Sequence, residues 1–354
     1  MSFRAAYVSR RKLKTEFFTQ INKLVNFNEI DSLIKQHYNK GESVAGRPSY
    51  PGLLLFKMCL LQTWYGLSDY EVEEKVNDCL SFMQFVGLQL EDDVPDHSII
   101  SRFRTELTKK EAFEKIFEKI NRQLEGKGLI VKTGAIVDAT ITDSPRKPKG
   151  KTTYEVADDR KEDDRKEEDV QAEVAQKQLI KVTQPGVDQE AAWLKKAGKL
   201  HYGYKKHLCT DAAEGMITAV VTTPANESDM NHLIDVVDKS SLNKKAKVKA
   251  DKGYASAANR KALKDSGFKD NIMHKAAKNK PLTYWQIRFN QLISKTRYKV
   301  ERTAASMKRW FRAAAARYVG LARTHTQHLM EAMAYNLYRS PGIVLKNASL
   351  ITEK

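Results

Sequence analysis

Three carboxylates stand in contexts where they could do chemistry. Asp138 lies inside the alternating apolar stretch IVDATIT, and Asp251 closes the run KVKAD ahead of KGY. Glu301 is the single acidic residue among thirteen Lys and Arg between His274 and Thr324. An oxygen-only donor set of this kind suits Mg²⁺ or Mn²⁺, hard ions that keep waters and take phosphate oxygens as further ligands. Two such ions about 4 Å apart can activate an attacking oxygen and stabilise a leaving one in phosphodiester chemistry, with no side-chain base required. One Asp in a strand is more often structural. Three carboxylates at a strand, a strand end and a helix edge, within a basic surface, point to a metal site.

The charge balance supports a polyanionic partner. Lys and Arg number 61 against 44 Asp and Glu, a formal charge of +17, and the stretch from His274 to Thr324 alone carries +12 of it. The 354 residues allow two or three domains with a sizeable core. No apolar run approaches the ~18 residues of a membrane span, so a transmembrane protein is excluded. The start MSFRAAYVSRRKLKTEFF is basic but has no apolar core of a secretion signal, so a cytoplasmic location is expected. Cys59, Cys79 and Cys209 show no CxxC or Cys/His spacing, which argues against both a disulfide framework and a structural zinc site.

Residues 1–128 read as all-helical, and residues 129–340 as a mixed sheet flanked by helices, with a short tail at 341–354. In the first part Phe17 to Val25, Ile30 to Tyr38, Leu53 to Gly66, one helix from Asp69 to Gly87 and His97 to Leu107 carry helical periodicity. Short helices joined by tight turns, with Arg102 and Arg104 on the last, suggest a helix-turn-helix DNA-binding unit; a bundle for packing or dimerisation is the plainer reading. In the second part a strand around Asp138 precedes a hairpin (Tyr202 to Asp211, Gly215 to Asn226), a helix from Glu227, a strand at Ala246 to Tyr254, a helix at Ser256 to Ser266 and a strand fragment at Asp270 to His274. That is a five-stranded, RNase H-like order. Residues 145–200, densely charged and poor in apolar side chains, read as a solvated helix or flexible insertion. A long helix from Tyr284 to Arg312 puts Ile293, Val300, Met307 and Phe311 on one stripe. Arg297, Glu301 and Lys308 share a second stripe at the edge of that packed face. A last amphipathic helix presents Leu329, Met333 and Leu337.

From about Gly46 to Tyr338 the chain resembles bacterial insertion-sequence transposases of the DDE class, which have an RNase H-like catalytic domain. The matching pieces are GRPSYPGLLLFKMCLLQTWYGLSDYEVEEKVNDCLSFMQFVGL, VPDHSIISRFR, IVDATI, GYKKHLCTD, TTPANESD, ADKGY and RYKVERTAASMKRWF. Several motifs in order are far more specific than any one alone. The family's helix signature is Tyr-x2-Arg-x3-Glu-x6-Lys; Arg297, Glu301 and Lys308 match its spacing, while Ser294 occupies the Tyr position. That departure concerns a DNA contact and does not touch metal binding. The resemblance implies that Asp138, Asp251 and Glu301 are a catalytic triad holding two Mg²⁺ ions, for which Mn²⁺ can substitute. Arg297 and Lys308 would then grip phosphates near the cleaved end. From the residues alone, Arg302, Lys252 and Tyr254 beside the carboxylates, and Arg102 and Arg104 on the last short helix, are further candidate DNA contacts, with a solvated face as the plainer reading. The implied substrates are double-stranded terminal inverted repeats and target DNA, and the need to pair two ends implies a homodimer or larger assembly.

Other residues carry weaker signals. His207 is more readily a satisfied sheet-edge histidine than part of the site, and Asn226 and Asp229 are explained equally by a turn and helix cap. His325 and His328 read as surface helix. Trp285, Trp310 and Phe311 could stack on bases, though Phe311 fits the core stripe. Two other functions stay open: a nuclease of the same fold that cuts without joining, and a non-catalytic DNA-binding relative.

Overall fold

A computed structural model describes residues 16–38, 49–149, 154–156, 179–181 and 185–352. The helical part runs α1 (Glu16–Leu24), α2 (Phe27–His37), α3 (Gly52–Tyr65), α4 (Asp69–Asp78), α5 (Leu80–Val86), α6 (His97–Lys109) and α7 (Ala112–Gly126). Helix α3 is buried on nearly every side and stops at Gly66, whose φ of 66° is the left-handed conformation that glycine adopts without a Cβ penalty. Ser68 and Glu71 then form a capping box that restarts the chain as α4. The single helix expected from Asp69 to Gly87 is two, because Cys79 takes an extended conformation and lets Phe82 and Phe85 turn into the core. Most of the Gly41–Pro51 loop, and the charged run at 158–173, lie outside the described residues.

The second part is a mixed sheet of β1 (Gly134–Asp143), β4 (Ala192–Lys196), β5 (Lys199–Asp211), β6 (Ile217–Pro224), β7 (Lys247–Ala250) and β8 (Lys269–Ile272), with β2 (Tyr154–Val156) and β3 (Leu179–Lys181) as a separate pair. Residues 204–210 of β5 pair antiparallel with β1 on one edge and with β6 on the other. β7 adds parallel to β1, and β8 parallel to β7. The main sheet has six strands rather than five, since Ala192–Lys196, within the segment read as a solvated insertion, pairs with the start of β5. Between the strands, α8 (Leu233–Lys239) and α9 (Ala257–Asp265) cover one face, packing Leu233, Val236 and Leu263 against Ala135, Val137 and Val248. The other face takes α10 (Tyr284–Trp310) and α11 (Leu321–Thr352). Helix α11 continues through Pro341 to Thr352, so residues 341–352 extend this helix and are not a separate tail.

The helical part and the sheet share one hydrophobic core, in which Phe56, Leu60, Phe103 and Ile120 join Leu208, Ile217, Met307, Phe311 and Met333. Polar ties reinforce the join. The Trp64 indole N–H donates to the Ala334 carbonyl at 2.9 Å, and Asn121 Nδ2 donates to the Ile217 carbonyl at 3.1 Å. His325 and His328 belong here and not to an exposed helix face. His328 is fully buried, with Nδ1 2.7 Å from Thr222 Oγ1 and Nε2 3.0 Å from Thr142 Oγ1. His325 Nε2 lies 2.8 Å from Glu114, and this contact with that of Lys239 pulls the Glu114 carboxyl down to about 2.

Arg104 also departs from its expected role. Its side chain is buried, paired through both terminal nitrogens with Asp69 at 3.0 and 2.8 Å, and lies over the Tyr318 ring at 4.2 Å. A guanidinium enclosed this way holds helices together and cannot reach DNA. Arg104→Ala leaves Gln62 Nε2, at 2.6 Å, as the remaining side-chain donor to the partly exposed Asp69 carboxylate, a loss of about 1.5–3 kcal/mol for the missing charged hydrogen bonds. Urea denaturation checks this; unchanged stability with weakened DNA binding would return Arg104 to the surface role.

Candidate active site

The three carboxylates arrive on three elements. Asp138 is carried in the middle of β1. Its strand neighbour Val137 enters the core under α8, so alternation turns Asp138 to the α10 side. Asp251 follows the last residue of β7, where its carboxylate accepts from the Lys252 backbone N–H at 2.6 Å and starts a short 3-10 turn. Glu301 projects from α10, which Ile293, Val300 and Met307 anchor by burial. Side-chain exposure rises in order, 29% for Asp138, 37% for Asp251 and 58% for Glu301, so the site opens from the sheet outward.

The carboxylates converge on the guanidinium of Arg297, one turn before Glu301. Its terminal nitrogens lie 3.1 Å from Asp138 Oδ2, 3.5 Å from Asp251 Oδ1 and 3.7 Å from Glu301 Oε1. Arg297 Nε is buried without a hydrogen-bond partner. Burial pushes the Asp138 carboxyl up, and Arg297 and the Ala139 N–H only partly offset this. Among the described residues no three His, Cys, Asp or Glu side chains form a ready metal cluster by themselves. The donor chemistry nevertheless suits a hard divalent cation: three carboxylates of graded exposure, with no nitrogen or sulfur ligand, gather around one positive group.

The remaining expected contacts separate. Lys308 is half-buried, and its ammonium is pushed down by burial and by the neighbouring Lys206 and Lys196. Lys206 itself sits in a buried ion pair with Glu331. Lys252 is exposed beside Asp251. Arg302 is exposed but turned off the site, donating to the Glu214 carbonyl at 3.3 Å. Arg102 is exposed on α6 and bonds Ser98, remote in sequence and element from the carboxylates. Tyr254 does not line the surface: it is 1% exposed, packs among Val248 and Leu263, and its hydroxyl has no partner. Burial, with Asp229 nearby, holds that phenol well above its ordinary value. The plain reading of His207 also needs revision. It pairs with Ala139, so it leaves the sheet on the face away from Asp138. There it is fully buried, Nε2 meets Thr223 Oγ1 at 3.0 Å, Nδ1 has no partner, and burial pushes the imidazole down to about 4. Ser294 is exposed, one turn before Arg297. Phe311 is core, while Trp285 is 77% exposed and Trp310 42%.

The raised Asp138 has a sign that can be tested. Below the unfolded carboxyl value the group is protonated in both states and costs nothing; above its raised folded value it is ionised while half-buried, and the native state is penalised. Asp138→Asn therefore yields a protein more stable than wild type at pH 7, with an advantage that shrinks as pH falls toward the carboxylate range. Denaturant titrations at several pH values check this, and a variant less stable at pH 7 contradicts it.

Comparison with known proteins identifies the family. The family described as "Transposase DDE domain" matches residues 131–337, and one described as "Transposase domain (DUF772)" matches residues 7–106. The transposase for insertion sequence element IS1106 of Neisseria meningitidis serogroup B is 38% identical over 241 residues, covering 68% of this chain and 76% of that protein. The piggyBac transposase synaptic complex with hairpin DNA aligns over 93% of this chain and 76% of its own, at 10% identity and a TM-score of 0.43. The Mos1 strand transfer complex aligns over 79% of this chain and 84% of its own, at 10% identity and a TM-score of 0.20. These two likenesses are too distant to carry weight. The assignment stands on the family match across more than half of the chain and on the close relative: the chain belongs to the DDE transposases of bacterial insertion sequences.

Proposed function

We propose that this transposase binds the terminal inverted repeats of its element, hydrolyses DNA strands at the ends and joins each freed 3′-hydroxyl to target DNA. The observation that supports this reading most is the convergence of Asp138, Asp251 and Glu301 on one cationic group. Those three carboxylates would hold two Mg²⁺ ions, which, when bound, stabilise the charge on the attacking and leaving oxygens of an in-line displacement. The chain's own residues do the rest. Asp138 supplies a half-buried, fixed carboxylate from the sheet, and Glu301 supplies a more exposed one from the helix. Arg297, already among the carboxylates, offers a planar bidentate donor for a phosphate beside them. Lys308, two turns on, offers a point charge pressed by like charges, which a phosphate oxygen relieves.

Residues 1–128 would contribute DNA binding and dimerisation, and residues 129–340 an RNase H-like catalytic unit. A dimer or larger assembly follows from the need to hold two ends at once. Hydrolysis and joining are the same displacement with water or a 3′-hydroxyl as nucleophile, so one site suffices for both.

The experiment is cleavage and strand transfer of end-labelled duplex from the flanks of the gene, with Mg²⁺ or with EDTA. Wild type is expected to nick and join only with the metal, and Glu301→Gln to lose both while still binding DNA. Cutting without joining would favour a nuclease; binding without chemistry in the wild type would favour a non-catalytic relative. In the same binding assay Lys308→Gln is expected to lower the slope of log affinity against log salt by about 1, as for one lost phosphate contact. An unchanged slope would remove Lys308 from the DNA contacts.

A further inference from the structure

The segment before β5 builds an arm that its charged neighbourhood conceals. Across β4 and the start of β5, Trp193 pairs with Tyr202, Leu194 with His201, Lys195 with Leu200 and Lys196 with Lys199. The turn between them is Ala197–Gly198, with φ of 49° and 80°. Two successive positive φ values are those of a type I′ turn, whose twist matches that of the flanking strands and gives a stiff two-residue hairpin.

The base of the arm is fastened. A Cβ at Gly203 would stand 2.2 Å from the Thr142 carbonyl oxygen, so only glycine lets β5 leave β1 here and take up β4. Buried Asp188 accepts from the Tyr204 hydroxyl at 2.7 Å, and its carbonyl accepts from the Tyr202 hydroxyl at 2.6 Å. His201 Nδ1 lies 2.8 Å from Asp143 Oδ1, tying the arm to the end of the strand that carries Asp138.

The outer part of the arm is basic and exposed. Lys195, Lys196 and Lys199 are all exposed, and among the described residues none is ion-paired with a carboxylate. Leu200 beside them is 63% exposed and Trp193 46%. The arm meets the sheet at the end of β1, where His201 contacts Asp143 five residues past Asp138, and Lys196 and Lys199 pair across its turn. Uncompensated like charges held on a rigid hairpin raise the energy of the free protein, and a row of phosphates lowers it again.

We propose that the β4–β5 hairpin is a second wall of the DNA cleft, gripping the phosphodiester backbone beside the carboxylates through Lys196 and Lys199, together with Lys308 on α10. Both lysines are positioning residues: they hold the strand and touch no reacting atom. The proposal rests on the DNA reading above, and its test separates the two.

Binding of a labelled duplex bearing the element's terminal sequence is measured by fluorescence anisotropy over a salt series, for wild type, Lys196→Gln/Lys199→Gln and Lys196→Arg/Lys199→Arg. Each phosphate contact contributes about 0.9 to the slope of log affinity against log salt. The Gln pair is expected to lose about 2 in slope, with an unchanged melting temperature, and the Arg pair to recover it. A wild-type slope in the Gln pair would overturn the hairpin proposal and leave the DNA reading standing. No salt-dependent binding by wild type would overturn both.

Discussion

Ile293, Val300 and Met307 press one face of the long helix α10 against the sheet, and a helix fixed along that stripe has no freedom to turn about its axis. Arg297 and Glu301 sit at the edge of the packed face and therefore meet the strand carboxylates at a set angle. The result is a guanidinium within 3.1–3.7 Å of three carboxylates that come from residues 138, 251 and 301. A shift of the helix by one residue would rotate it by about 100° and carry both side chains off the site.

The charges of the molecule fall into two kinds. Arg104 with Asp69, and Lys206 with Glu331, are enclosed and paired, and they hold elements together. Asp138 and Lys308 are only half satisfied: the first is raised by burial despite Arg297, the second lowered by burial and like charges. Functional sites commonly retain such costs; an arginine matched by one carboxylate at 2.8–3.0 Å, as Arg104 is, has little left to offer a ligand, whereas Arg297 is shared among three and keeps an unpartnered Nε. The same contrast separates arginines that pure charge counting treats alike.

The helical part is not an appendage. Its apolar side chains share a core with α11 and with the sheet, and Trp64 donates across the join to Ala334. Buried His328 links Thr222 of β6 to Thr142 of β1, four residues beyond Asp138 on the same strand. Displacing the helices would therefore strain the strand that carries the innermost carboxylate. This continuity gives the two parts of the chain a mechanical connection.

Much of the candidate site's placement was legible in the residues themselves. Strand alternation around Asp138, the strand-ending position of Asp251 and the helical spacing of Arg297, Glu301 and Lys308 depend on local periods, and local periods are written in the chain. So were the cap at Ser68, the stop at Gly66 and the order of the main strands. Other outcomes depended on what lies across the fold. Arg104 and Arg102 are two residues apart on one helix, yet only the approach of Asp69 and Tyr318 decides that one is buried. Tyr254 and His328 were likewise drawn inside by neighbours distant in sequence. The β4–β5 hairpin was hidden because charge density masked a Lys-Ala-Gly-Lys turn, and its pairing pays off only against the rest of the sheet. Residue type and spacing determine which groups can act and on which face of an element they stand. Burial and proximity are properties of surfaces that meet only on folding, and for this protein they alone decided which cations are enclosed in the core and which stay exposed.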